Sequence, residues 1–308
     1  MPDEIAAAPP PKPPPGRRIL HFPLTLMLLA ILVYAAGAAA GIFLSQLLPA
    51  EPHTLWPLAH AAAIILPMAA LFGLFVRFVD RDGARLFEAR GWARELLLGL
   101  AAGALIFATV VGIAALLGVY RITGGSGLET IWAPLAAEAL IPGFTEELLF
   151  RGILFRYIEK AAGSWIALAV TAALFGLAHI ANQGATWFSS LAIAIEAGIL
   201  LGAVYMLTRR LWAAMGLHAA WNFTQGWIFG LPVSGGHGGI GLFNGRLDGP
   251  ELLTGGAFGL EASLEAVAVA TAAGLAILVV AIRRGRLVQP MWVRSRAFSL
   301  SPAGRGLG

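Results

Sequence analysis

Long apolar runs separated by short polar connections dominate the chain. Eight are long enough to cross a bilayer, over 21–49, 56–79, 95–119, 131–158, 164–181, 188–207, 211–231 and 262–282. A transmembrane helix needs about 20 mostly apolar residues. The pattern therefore predicts an all-α, polytopic membrane protein with about eight transmembrane helices. Three stretches follow: a Pro-rich N-terminus over 1–20, a transmembrane helical domain over 21–283 and a basic tail over 284–308. The first 18 residues hold seven Pro and end in Arg17-Arg18, which predicts a disordered, solvated lead. The rival is a cleaved signal peptide. The run from Phe22 to Ala50 is far longer than a signal's apolar region, so it is expected to be a retained span.

The polar connections carry the next signal. The N-terminus, 77–94, 151–163, 209–210 and the C-terminal stretch from Arg283 on together hold 19 of the chain's 21 Lys and Arg; the opposite set holds Arg121 and Arg246. Positive residues stay cytoplasmic, which places both termini inside. The 77–94 connection is expected either to lie amphipathically on the inner membrane surface or to be solvated.

Composition sharpens this picture. The 308 residues are 58% hydrophobic and 12% charged, with 38 Gly and no Cys. Abundant Gly suits closely packed membrane helices. Without Cys there is no disulfide, thiolate nucleophile or Cys metal site. The net charge of +4 is explained by topology, so no nucleic-acid partner is expected. The Ala/Gly/Arg-rich style places the protein in a bacterial inner (plasma) membrane.

Within the fourth run stands Glu146-Glu147-Leu148-Leu149-Phe150-Arg151. Charges inside a span are costly and usually face a protein interior or a wet cavity. Glu147 and Arg151 are four residues apart and share a helix face, where they can pair. Glu146 is rotated about 100° away and is free to face something else. This predicts Glu146 as the reactive carboxylate, with Glu147 and Arg151 supporting it. The bland alternative is a charged cytoplasmic rim. Pro142-Gly143, just before the motif, predicts a bend whose freed backbone groups need partners from neighbouring helices or water.

Two further polar positions sit on later runs: His179, four residues after Phe175, and His218 with Asn222 four residues on. Taken alone, His179 also reads as a satisfied helix-end residue. Together the three motifs read as a buried polar cavity equipped for hydrolysis. Glu146 and His179 can share a water as general base. His218 and Asn222 can donate to the oxyanion of a tetrahedral intermediate. Alternatively Glu146, His179 and His218 hold a zinc or another divalent ion with an open water position. The sequence leaves both open, and no cofactor is assured.

Other constellations are weaker. There is no His-Glu-x-x-His. Gly125-Ser126-Gly127 reads as a turn. Gly235-Gly236-His237-Gly238-Gly239 reads as a flexible external loop, and Glu138 and Glu196 as cavity-tuning or helix-packing acids.

Glu146-Glu147-x-x-x-Arg151, Phe175-x-x-x-His179 and His218-x-x-x-Asn222, in this order on successive runs, resemble the three motifs of the CAAX protease and bacteriocin-processing (Abi) family. That group is related to the Ras-converting prenyl-protein endopeptidase. The resemblance covers about 130–226. It implies an intramembrane endopeptidase in which Glu146 and His179 activate water and His218 and Asn222 form the oxyanion site. Its partners are then the bilayer and a membrane-associated peptide or protein substrate. The competing class is a non-proteolytic membrane protein, a proton-coupled transporter or scaffold, since intramembrane Glu and His also build proton relays.

Overall fold

The computed structural model describes residues 19–49 and 54–294. The Pro-rich lead expected over 1–20 lies outside them except for its last two residues, as does the tail from 295 onward. Most of the described chain is helical. Among these residues, six helices are long and apolar enough to cross a membrane. They are α1 (Pro23–Gln46), α2 (Trp56–Phe78), α3 (Trp92–Leu116), α5 (Ser164–Ala181), α6 (Trp187–Thr208) and α8 (Leu264–Arg283).

The expected runs 131–158 and 211–231 are also helical but fall short of that standard. The helical run 132–162, α4, alternates α segments with π stretches at Leu135–Leu140 and Leu148–Phe155. Helix α7 (Trp212–Phe223) passes into a π stretch at Thr224–Ile228. The reason is in their sequences, because these two elements carry the Glu146-Glu147-x-x-x-Arg151 and His218-x-x-x-Asn222 motifs within their runs. π-bulges occur mostly at functional sites. The all-α expectation also needs one addition. A short antiparallel ribbon pairs β1 (Tyr120–Gly124) with β2 (Asn244–Leu247), with Arg121 opposite Arg246.

Close packing fixes α7. Gly99 and Gly103 on α3 let its backbone approach: a Cβ at either would lie 2.2 Å from the carbonyl of Ala213 or Leu217. Gly216 on α7 faces the Leu96 carbonyl, 2.5 Å from where its Cβ would lie. Small residues four apart are the usual means of close approach between membrane helices. Here the seam sets the height of His218 and Asn222. Gly103→Leu is expected to force α3 and α7 apart and cost ~1–3 kcal/mol. A lowered thermal midpoint of the purified variant checks this.

The basic connections come together at one end. Arg156 Nη2 lies 2.6 Å from Asp80 Oδ2, and Tyr157 donates to the same oxygen at 2.5 Å. Burial alone pushes the Asp80 carboxyl up, but Arg156, Tyr157 and Lys160 outweigh it and hold it below its ordinary value. Arg209 pairs with Glu159 and Arg210 with Glu95. The described part of the tail joins them, since Val288 N donates to Ser164 Oγ at 2.8 Å. Most of the 77–94 connection from Arg81 on is exposed, but it is anchored at one point. Its 3-10 turn Arg81–Phe87 buries Leu86, and Phe87 packs against Phe72, Phe144 and Trp212. The apolar Leu86-Phe87 pair outweighs the surrounding charges.

Candidate active site

The site is assembled from α4, α5 and α7. Arg151 Nη1 donates to Glu147 Oε1 at 2.8 Å, with both side chains at most 1% exposed. The expected ion pair therefore forms in the interior, and Arg151 belongs to the site rather than to the basic end. Arg151 also donates to the Ala197 carbonyl at 3.2 Å and lies over the Phe175 ring, 4.6 Å from its centroid.

Glu147 does more than support Glu146. His218 Nδ1 lies 2.9 Å from the same Glu147 Oε1, so one oxygen accepts from both Arg151 and His218. A carboxylate partner fixes the proton on Nδ1 and leaves Nε2 toward the cavity. Nε2 lies 3.9 Å from Glu146 Oε2. Sequence depths put His218 about 9 Å nearer the basic end than Glu146, at ~1.5 Å rise per residue; the packing of α7 against α4 closes that gap.

Glu146 is held differently. Its Oε2 makes no hydrogen bond within the protein, and its side chain is 31% exposed. It lines an open cavity of ≈ 380 Å³ together with Glu138, His179, His218 and Asn222. Tyr34, from α1, lies near enough to feel its charge.

His179 sits in a single 3-10 turn that ends α5. Its Nδ1 is 2.7 Å from the Phe175 carbonyl. A carbonyl can only accept, so Nδ1 carries the proton and the neutral ring's Nε2 is an acceptor. Phe175, given no role by the sequence reading beyond its place in a motif, thus organises the site. Its carbonyl sets His179, and its ring packs on Arg151, His179 and His218.

Asn222 has a partner that Pro142 makes available. Pro142 has no N–H to offer the carbonyl of Glu138, four residues earlier. Asn222 Nδ2 donates to that carbonyl at 2.8 Å. Pro142 and Gly143 lie in the α segment Ile141–Glu147 that follows the π stretch Leu135–Leu140, and the carbonyl that Pro142 leaves free is met by a neighbouring helix. One amide N–H of Asn222 is thereby used, and the second remains. Pro142→Ala restores a competing donor and loosens this anchor. Its loss of turnover is expected to be a fraction of that of Asn222→Ala and not to add to it in the double variant. Steady-state rates of the three proteins check this.

Behind His218 and Asn222 is a smaller cavity of ≈ 30 Å³, with Glu196 and Glu261 in its wall. Neither Glu196 oxygen makes a hydrogen bond within the protein. Glu261 Oε1 accepts from the Ser234 N–H at 2.5 Å, and burial pushes its carboxyl up to about 7. Glu138 and Glu196 thus do line cavities. Glu261, Ser234 and Gln183 come from connections that gave no sequence signal. The glycine loop is not free: Gly235 N donates to the Phe258 carbonyl at 2.8 Å. At φ +83°, Gly235 approaches the Gln183 backbone so closely that a Cβ there would lie 1.9 Å from its carbonyl oxygen.

The alternative metal set, Glu146, His179 and His218, fits poorly. Among the described residues no three His, Cys, Asp or Glu side chains gather as a metal-holding group.

Two Glu, two His, an Asn and an Arg thus gather beside a cavity within a bundle of apolar helices. Residues 128–224 match the family described as Rce1-like, type II CAAX prenyl endopeptidase. That stretch holds all three motifs and covers nearly the same residues as the resemblance read from them. It is a domain of the CAAX-protease type, carried by an integral membrane protein. No curated protein and no solved structure matches the chain.

Proposed function

We propose that the protein is an intramembrane endopeptidase that hydrolyses a peptide bond with water activated by Glu146 and His179. The observation that carries this reading is the unequal treatment of the two adjacent carboxylates. Glu147 is locked by Arg151 and His218, while Glu146 is free of such bonds and faces the cavity beside His179.

The reaction follows from these placements. Glu146 takes a proton from water as its oxygen bonds to the scissile carbonyl carbon, and His179 Nε2 accepts a hydrogen bond from the same water. The carbonyl oxygen becomes an oxyanion. Asn222 donates to it through its remaining N–H. His218 donates through Nε2 as an imidazolium, which balances two carboxylates with two cations. Glu146 then returns its proton to the leaving nitrogen as the C–N bond breaks and the oxyanion re-forms the carbonyl, giving a carboxylic acid, which ionises in water, and an amine. No step is routed through a metal.

Losing one oxyanion donor costs ~10²–10³ in kcat, about 2.7–4 kcal/mol. Asn222→Ala is expected to lower turnover by about that much with KM nearly unchanged. Metal analysis runs beside it. If the wild type carries one equivalent of metal that His218→Ala lacks, and chelators inactivate it, the oxyanion role of His218 is wrong.

We further propose eight spans in a bacterial inner membrane, with both termini and the basic end cytoplasmic. The charge separation supports this, because the basic connections share one end and Arg121 and Arg246 share the other. In this Cys-free chain, Ala84→Cys and His237→Cys are expected to label from opposite sides of sealed vesicles. Labelling from one side would overturn the map.

A further inference from the structure

We infer that the reaction centre opens to the extracytoplasmic face, so that the substrate is a segment of an exported or membrane-anchored polypeptide presented at the outer leaflet. The substrate class rests on the proteolytic reading; the direction of opening does not.

Three observations carry the direction. The first is where the cavity walls come from. Ala137 and Glu138 lie near the start of α4, Asn182 and Gln183 just beyond the end of α5, and Ser234 and Gly235 beyond the end of α7. All of these lie at the end of the bundle that holds the β1–β2 ribbon. His179 is only three residues from Asn182, whereas Glu146 is ~21 Å along its helix from Lys160 at the basic end, at ~1.5 Å per residue.

The second is the floor. Between the site and the basic end α4 buries Leu148, Ile153, Phe155 and Tyr157 completely. Phe87 and Leu86 fill the space below from the 3-10 turn. The Asp80, Arg156 and Tyr157 cluster then ties that end together. A close-packed apolar floor leaves no room for an extended peptide.

The third is the sign of the two ends. Among the described residues, Arg and Lys outside the site crowd the end with Asp80, Glu95 and Glu159, and the ribbon end holds only Arg121 and Arg246. The positive end stays cytoplasmic, so the mouth faces out. A peptide C-terminus offered from the cytoplasm would meet the closed end.

The test uses single cysteines and a membrane-impermeant sulfonated thiol reagent on intact spheroplasts. Ala137→Cys, on the cavity wall, is expected to label fully from outside. Ala84→Cys, in the basic 3-10 turn, is expected to label only after permeabilisation. Val233→Cys serves as a second wall position if Ala137→Cys does not insert. Wall cysteines protected until the cytoplasmic side is opened would overturn the inference, as would equal labelling of both positions from outside. The substrate class is read separately. Peptides that accumulate with Glu146→Gln are expected to be digested by a protease added to intact spheroplasts; digestion only after lysis overturns the class. If nothing accumulates, the proteolytic reading and the substrate class drawn from it both fail, while the labelling result still decides the direction of opening.

Discussion

Purified Glu146→Gln is expected to insert, purify and melt like the parent, and to have lost ~10²–10⁴-fold in turnover, the contribution of a positioned general base. The two halves of this result come from different observations. Stability is spared because the Glu146 Oε2 makes no hydrogen bond within the protein and the side chain reaches an open cavity. A same-shape amide there changes no packing, and such substitutions usually stay within about 0.5 kcal/mol. Activity is lost because an amide oxygen cannot take a proton from water at working pH. Glu147 cannot substitute, since it is fully buried and its Oε1 already accepts from Arg151 and His218. Activity on membrane peptides that accumulate with the variant, measured beside the thermal midpoint, checks both halves. Full proteolysis by Glu146→Gln would sink the assignment.

The helical phase within a six-residue motif was enough to separate the placements of Glu146 and Glu147. A carboxylate and a guanidinium four residues apart share a face by geometry alone, and the intervening apolar residues forced that face inward. What the sequence could not carry was the partner of each group across helices. Glu147 reaches His218 over a separation of 71 residues, and no local period encodes such a contact. Asn222 is similar. Pro142 announced a freed carbonyl, but that Asn222 would meet it depends on α7 packing beside α4.

The helix count was legible only in part, for a related reason. Hydropathy finds long helices whose apolar run is little interrupted. Two of the three elements that carry the site mix polar groups and π turns into their apolar runs, so six of the eight expected runs meet a strict standard among the described residues. The short ribbon and the Ser234 loop were illegible because glycine-rich connections have no period to read. Their geometry is set by close backbone approaches such as that of Gly235 to Gln183.

Arg151→Ala is expected to cost ~3–5 kcal/mol, the usual penalty for stripping one partner from a buried ion pair, seen as a lowered thermal midpoint and a poor yield of folded protein. Arg151 is 1% exposed, and its guanidinium satisfies Glu147, the Ala197 carbonyl and the face of Phe175 together. Its removal leaves Glu147 with His218 as its one remaining partner. Glu147→Gln inverts the problem by stranding a buried cation. The informative variant is the pair, Glu147→Gln with Arg151→Met. Replacing both charges removes the uncompensated ion, so its stability loss is expected to be well below the sum of the single losses. Turnover, in contrast, is not expected to return. A neutral amide is a weaker acceptor for His218 Nδ1 than a carboxylate, so His218 is no longer held in the form that donates through Nε2. Recovery of stability without recovery of turnover separates the structural work of the pair from its part in placing His218. If Arg151→Ala melts with the parent, the buried pair is not what holds α4 together. If the double variant regains full turnover, Glu147 has no part in orienting His218.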